Sequence, residues 1–419
     1  MEVASVTIGT IPFMTKSHFI LLVLACAFVA RVVAGLLLVD LNGSYYWEYG
    51  ETAKNLNAGK GYSLYHFERE TPSIKYDPES SPVPSAFMPP GYVVVIYLFL
   101  QIGGSGFRNT SLIIFQSVVG VVVVWTLYKL TSKYFDSKSA PFAAIIAAFL
   151  PEFVFACTSF TPTVLFHLGI VTLILMGYEV DLSTTNLRLF FIGVLSSSLI
   201  MLRSETLLFV VILIIIAGMK FGKRHSLTMG TVVVFSLLPW QARNYVTFDS
   251  PIPLTTSSGL NLFRGNNNNE IGAWSDEYIV KEARKIPHDQ YYEVALNKLY
   301  SRRALEFIVK EPERVVKNFG NKLYSFWIRN SDDERSDHPL YFVPWLVLLG
   351  LGLLGFLRTP LYLHLPSVAY LASCTIIVLV FFALPRHQTM MKIAIVPFAA
   401  VGLSYLYSWL RLKLAKNRN

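Results

Sequence analysis

Long apolar runs set the first limit on what this chain can fold into. A hydrocarbon core of roughly 30 Å takes about 20 apolar residues per helical crossing, and such runs recur along the whole sequence. They lie near His18–Val39, Arg108–Leu130, Ala140–Thr158, Thr163–Val180, Leu187–Leu202, Thr206–Met219, Ser226–Trp240, Tyr341–Leu357, Leu361–Leu384 and Met390–Leu410. About ten spans result. Composition agrees: 53% of the 419 residues are hydrophobic and only 15% are charged, against about 25% charged in soluble domains. The pattern predicts an all-α polytopic membrane protein and excludes an ordinary cytosolic enzyme. No small-residue cleavage signature follows the first run, so it reads as a retained helix rather than a signal peptide.

The segment Pro89–Gly104 does not fit a crossing, because its apolar stretch is short and ends in two glycines. It reads as a re-entrant or interfacial helix. With it excluded and the N-terminus inside, Lys129/Lys133/Lys138, Lys220/Lys223/Arg224 and the tail Arg411/Lys413/Lys416/Arg418 all fall on the cytoplasmic side, as the positive-inside rule prefers. The expected location is an integral plasma (inner) membrane with both termini cytoplasmic. Two polar segments then face outward, 40–107 and 241–340. This divides the chain into an N-terminal transmembrane catalytic module (1–239, including the outer loop 40–107), an extracytoplasmic loop region (240–340), and C-terminal helices with a cytoplasmic tail (341–419). The second segment carries helical patterns at Asp276–Ile286, Asp289–Lys310 and Val315–Arg329. The net charge of +9 is largely topological and gives no reason to invoke nucleic acid. Cys26, Cys157 and Cys374 all lie in apolar runs, with no spacing that suggests disulfides or zinc.

Charged residues at span ends are the chemical clue. Arg203 and Glu205 occupy a helix–helix turn, Arg243 follows Pro239-Trp240, and Arg386-His387 follows Leu384-Pro385. Snorkelling or local pairing, such as Arg203 with Glu205, is the plain explanation for any one of them. Several arginines converging on one face instead suggest a phosphate or pyrophosphate site, for which the planar guanidinium fork is suited. Arg31, inside the first span, reads first as a snorkelling side chain, with carboxylate pairing or a head-group contact as alternatives. Glu152 shares that ambiguity. His167 and His364 read as core or interface histidines. In the first outer loop, Tyr45, Tyr46, Trp47 and Tyr49 suit a helix at head-group depth, and Glu48 and Glu51 read as a solvated face unless chemistry calls for a carboxylate there. Transfer of a sugar to a hydroxyl supplies such a need, because the hydroxyl loses its proton as it attacks.

The ordered motifs resemble those of the GT-C membrane glycosyltransferases, in particular the polyprenyl-phosphate-sugar-dependent branch that includes protein O-mannosyltransferases and the lipid A aminoarabinose transferase. Tyr49, Ala53, Asn55, Leu56, Gly59, Gly61, Tyr62 and Ser63 form a YxxxAxNLxxGxGYS loop. There follow PPGY at Pro89–Tyr92, LP at Leu150-Pro151, LRSE at Leu202–Glu205, PWQARNY at Pro239–Tyr245, GLNLFRGNN at Gly259–Asn267 and PRH at Pro385–His387. The resemblance implies a GT-C-type bundle with two extracytoplasmic loop regions. It implies Arg203, Arg243 and Arg386 as lipid-phosphate ligands, and Arg264 with the Asn266–Asn269 run as groups presented to sugar or acceptor. Tyr45, Tyr46, Tyr49, Tyr92 and His387 complete the expected substrate contacts. The chain departs from the family where the usual loop acids are expected: Tyr45 and Tyr46 stand there, and the later Thr-Glu reads Thr161-Pro162. Glu48, ahead of Asp40, is therefore the expected base. No metal ligand set is read, since Asp332-Asp333 lies far from the first loop; a divalent metal is possible but not indicated, and no other cofactor is implied.

The expected function is inverting transfer of one sugar from a polyprenyl-phosphate donor to a hydroxyl on a protein, lipid or glycan acceptor, outside the membrane. A secondary transporter or flippase for an anionic lipid or sugar is the alternative, which predicts repeats in two halves that the sequence does not display. A non-catalytic membrane scaffold is the third.

Overall fold

The structure is a computed structural model and describes residues 16–44, 46–66, 81–268, 282–330, 334–360 and 364–416. In chain order its helices are α1 (Lys16–Leu38), α2 (Trp47–Asn57), α3 (Pro90–Leu100), α4 (Ser105–Tyr134), α5 (Ala140–Phe149), α6 (Pro151–Phe155), α7 (Thr163–Tyr178), α8 (Asn186–Leu202), α9 (Thr206–Phe221) and α10 (Lys223–Phe248). After them come α11 (Ser258–Gly265), α12 (Tyr292–Lys310), α13 (Pro312–Trp327), α14 (Glu334–Asp337), α15 (Pro339–Arg358), α16 (Leu365–Val380) and α17 (Pro385–Lys416). A two-residue antiparallel ladder pairs Ser63–Leu64 with Val83–Pro84. The chain is an almost entirely helical, polytopic integral membrane protein.

Helices α1, α4, α15 and α17 are each long and apolar enough to cross a membrane. The shorter apolar helices α5, α7, α8, α9 and α16 complete the bundle together with α10, whose basic start and polar end dilute its hydropathy. Side-chain bonds fix which ends lie together. Lys133 at the end of α4 and Arg188 at the start of α8 both pair with Glu179 beyond α7, and Arg224 at the start of α10 donates to the carbonyl of Thr184. At the far end of α10, Arg243 reaches the carbonyls of Tyr62 and Ser85. The basic turns thus share one end of the bundle, and both long polar segments share the other. At 11 residues, α3 extends only about 16 Å at 1.5 Å per residue, so it stays at the loop-bearing end, as the short Pro89–Gly104 stretch predicts. There it packs against α2 and α8. On the opposite flank α15 and α17 meet closely through glycine: a Cβ on Gly355 would stand 1.8 Å from the Phe398 carbonyl oxygen, and one on Gly402 2.1 Å from that of Leu351.

Three expectations change. The run Ala140–Thr158 is not one helix. Pro151 has no N–H to give to the Ala147 carbonyl, so the chain breaks into α5 and α6. Arg31, expected to snorkel, fills that break. Its Nη2 donates to the Ala147 carbonyl (2.9 Å), and Nη1 donates to the carbonyls of Ala148 (2.9 Å) and Ala27 (3.0 Å), with the side chain buried. Glu152 pairs with Lys392 of α17 at 2.5 Å, both buried. The third change is α17 itself, which begins at Pro385 rather than near Met390. Proline is favoured in the first helical turn, and the extension moves Arg386 and His387 from a linker into that turn. The helical pattern Asp276–Ile286 lies mostly outside the described residues. His167 and His364 are core histidines, the first within 3.1 Å of the Thr389 carbonyl and the second stacked on Phe135.

Carbonyls without partners in a membrane interior are costly, on the order of 1–3 kcal/mol each. Arg31→Met leaves two of them and should sharply lower the thermal stability of the detergent-purified protein, with Arg31→Lys intermediate because it keeps a donor but loses the fork. Equal melting temperatures for Arg31→Met and wild type would contradict this role.

Candidate active site at the loop-bearing end

Three helix ends build the site. Arg203 is the residue at which α8 leaves helical geometry, and Glu205 directly precedes α9. Arg203 pairs with Glu205 through Nε and Nη2, both 2.6 Å from Oε1, and its guanidinium lies 5.8 Å from the Phe166 ring centroid. Facing them is the first turn of α17, with Arg386 and His387 and the N–H groups that a helix start leaves without helical partners. The third contributor is α2, whose first turn carries Glu48 and Tyr49. Tyr49 meets Tyr92 edge-on at 5.6 Å. Burial pushes its phenol up to about 12, and it lies within the electrostatic reach of Arg203, Glu205, Arg386 and Glu48. Arg386 likewise feels Arg203, Glu48 and Glu205. Two arginines, two carboxylates, a tyrosine and a histidine therefore meet at one place.

A small apolar cleft, with a cavity volume of about 30 Å³, opens beside them between α9, α16 and α17. Phe166, Phe209, Tyr370 and Ile377 form its walls, and Glu205 and His387 border it. Burial pushes the Glu205 carboxyl up, but Arg203, a backbone N–H and the neighbouring His387 together outweigh it and hold the group below the usual carboxylate range. Glu205 is thus an ionised partner for Arg203 and a poor proton acceptor at neutral pH.

Other expected site residues have partners elsewhere. Arg243 does not join Arg203 and Arg386. Its Nη1 donates to the Ser85 carbonyl (2.6 Å) and to Asn244 Oδ1 (3.0 Å), its Nη2 donates to the Tyr62 carbonyl (2.9 Å), and its guanidinium packs among the Tyr62, Trp240 and Phe248 rings. With its donors engaged by backbone, it clamps the loop ladder to α10. Tyr46 is fully buried with its hydroxyl donated to Asn109 Oδ1 (2.7 Å), and Tyr92 is buried with its hydroxyl on Gln116 Oε1 (3.2 Å). Asp40 is exposed and closes a turn by accepting from the Asn42 N–H. Asn266 is buried, and its Nδ2 bridges the carbonyls of Leu262 and Val380. Arg264 is buried at the end of α11 near Tyr300. Tyr45, Asn269 and Asp332-Asp333 lie outside the described residues.

Sequence reasoning missed Glu293. Its carboxylate accepts from Ser85 Oγ (2.6 Å), the Ala86 N–H (2.9 Å) and Thr256 Oγ1 (2.7 Å), tying both polar segments together. The signal was there: Glu293 shares the buried face of α12 with Leu296, Tyr300, Ala304 and Phe307, where an acid demands a partner.

Because the folded state depresses the Glu205 pKa, the pair stabilises the fold above the unfolded carboxyl value of about 4.3 and loses that contribution as pH falls through the depressed value. Glu205→Gln should melt below wild type at pH 7, and the gap should narrow as the pH approaches 4. A gap that stays constant over that range would refute the assignment.

Comparison with known proteins adds the fold's relatives. A family model described as Dolichyl-phosphate-mannose-protein mannosyltransferase matches residues 88–242. No curated protein sequence is significantly similar to the chain. Among solved structures, the oligosaccharyltransferase of Archaeoglobus fulgidus tethered to an acceptor peptide is 13% identical with a TM-score of 0.53, over 95% of this chain and 51% of that one. The same organism's oligosaccharyltransferase AglB, in complex with an inhibitory peptide and a dolichol-phosphate, is 15% identical with a TM-score of 0.52, over 96% and 52%. ArnT from Cupriavidus metallidurans bound to undecaprenyl phosphate is 13% identical with a TM-score of 0.47, over 93% and 60%. The chain thus spans about half the length of the archaeal structures it matches. Its fold is similar to that of the archaeal oligosaccharyltransferase structures, and the segment that matches the mannosyltransferase model is the one carrying PPGY, LP, LRSE and the start of PWQARNY.

Proposed function

We propose that the protein is a membrane glycosyltransferase that moves a sugar from a polyprenyl-phosphate donor to an acceptor hydroxyl, with its site on the extracytoplasmic face and both termini cytoplasmic. The observation that carries this reading is the meeting of Arg203, Arg386 and the first turn of α17 beside Glu48, at the mouth of an apolar cleft. A lipid phosphate needs both halves of that arrangement. Its tail takes the apolar walls, and its anionic head takes two guanidinium groups and the N-terminal end of a 32-residue helix. The family-model match and the dolichol-phosphate held by the archaeal relative support the same donor class. The acceptor would be a protein, lipid or glycan hydroxyl.

The chemistry follows from the placement. The acceptor oxygen attacks the anomeric carbon as the bond from that carbon to the phosphate oxygen breaks, with inversion. Glu48 takes the acceptor proton, since Glu205 is committed to Arg203 and Asp40 to a turn. The leaving lipid phosphate gains negative charge, which Arg203 and Arg386 stabilise in a partly dehydrated setting. The proposed step uses no divalent metal.

The test uses purified protein in nanodiscs, a radiolabelled polyprenyl-phosphate sugar and a membrane extract of acceptors. Glu48→Gln should lower transfer by about 10²–10⁴-fold, the usual contribution of a positioned base, while Asp40→Asn stays within a few-fold and EDTA leaves the rate unchanged. Undiminished transfer by Glu48→Gln would sink the base assignment. Binding without turnover across several sugar donors would favour an anion carrier instead, and loss of activity with EDTA would overturn the metal-free route.

A further inference from the structure

The connection that leads into Arg386 is gripped from outside the bundle. Helix α16 ends at Val380, and its last carbonyls have no helical partners. Those of Leu379 and Val380, and that of Phe381 just beyond, meet α11, α13 and the residue after α11. The Leu379 carbonyl accepts from Lys322 Nζ of α13 (2.9 Å), and the Val380 carbonyl accepts from Asn266 Nδ2 just past α11 (2.9 Å). The Phe381 carbonyl oxygen lies so close to Gly265 that a Cβ there would come within 1.6 Å of it. On the other flank, Gln388 Nε2 donates to the carbonyls of Ser325 (3.2 Å) and Phe326 (2.7 Å) at the end of α13, and the Tyr341 hydroxyl donates to the Pro385 carbonyl (2.8 Å). Arg386 and His387 sit between these two sets of restraints.

We propose that Asn266 and Lys322 are positioning residues that hold the 379–388 segment so that Arg386 meets the donor phosphate, making α11 and α13 a structural part of the donor site. The inference rests on the phosphate-binding reading of Arg386 above. A neutral cap would satisfy a helix end at lower cost than a buried lysine, whose ammonium must leave water. The cation gains from the negative end of the α16 dipole and reaches a carbonyl 57 residues away in sequence. Displacements on the order of 1 Å at a reacting group change rates about a hundredfold, so a brace on the residues before Arg386 acts directly on the site.

The test uses the full-length protein in nanodiscs with undecaprenyl phosphate as probe and three readouts: its Kd, backbone hydrogen exchange across residues 381–390, and melting temperature. Lys322→Met and Asn266→Asp each remove a donor. Each should speed exchange in that segment and weaken the probe's binding about tenfold, with Lys322→Arg recovering much of both. Should Lys322→Met fail to fold, Asn266→Asp, which keeps the side chain's size, carries the test. Folded variants that melt earlier but keep wild-type exchange and Kd would overturn the proposal by leaving the two residues a merely structural role. Arg386→Ala separates the premises: if it binds the probe as wild type does while Asn266→Asp still speeds exchange, the phosphate-site reading fails and the brace stands.

Discussion

The absence of water from a bilayer interior is the constraint on which the rest of this structure depends. Wherever the backbone stops being a helix at membrane depth or beside it, another part of the protein must supply the missing donor, and here arginine and lysine do so repeatedly. Arg31 caps the carbonyls freed by Pro151, Lys322 caps the end of α16, and Arg243 holds the loop ladder by two carbonyls. Lys392 is matched by an acid instead. This allotment is what singles out Arg203 and Arg386. They share one location with Glu48, Glu205 and Tyr49, next to a small apolar cleft.

The same allotment explains why the two polar segments behave as one assembly with the bundle. Arg243 and Glu293 each join parts of the chain more than 150 residues apart, and both act on the short stretch around Ser85. That stretch immediately precedes α3, which packs against α8 where Arg203 emerges. A bond network that is structural in each of its parts therefore fixes the relative positions of the helix ends proposed to carry the chemistry.

Much of the architecture was legible in the sequence because hydropathy reports it directly. The crossings, the short apolar helix after PPGY and the convergence of Arg203, Arg386 and His387 all follow from run lengths and from charges placed at run ends. Individual roles were less legible. Arg243 and Arg203 look alike in sequence, since each follows an apolar run, yet one faces backbone carbonyls and the other a carboxylate; that difference depends on which loop folds back over which helix end. Tyr46 and Tyr92 belong to aromatic stretches that suit a head-group belt, but Asn109 and Gln116, polar residues inside the α4 run, draw their hydroxyls inward. Arg31 could not be assigned from its own helix, because its partners lie 116 and 117 residues away. The last apolar run begins near Met390, whereas α17 starts five residues earlier, because Pro385 can serve as the first residue of a helix.

The central claim is that Arg203 and Arg386, and not Arg243, hold the donor phosphate. Solid-state NMR dephasing between guanidinium carbons and the phosphorus of bound undecaprenyl phosphate tests it most directly, using protein labelled with 13C-arginine in lipid. The account predicts strong dephasing of two arginine signals, one lost in Arg203→Lys and the other in Arg386→Lys, with both retained in Arg243→Lys. Dephasing that survives in the first two variants and disappears in Arg243→Lys would contradict it.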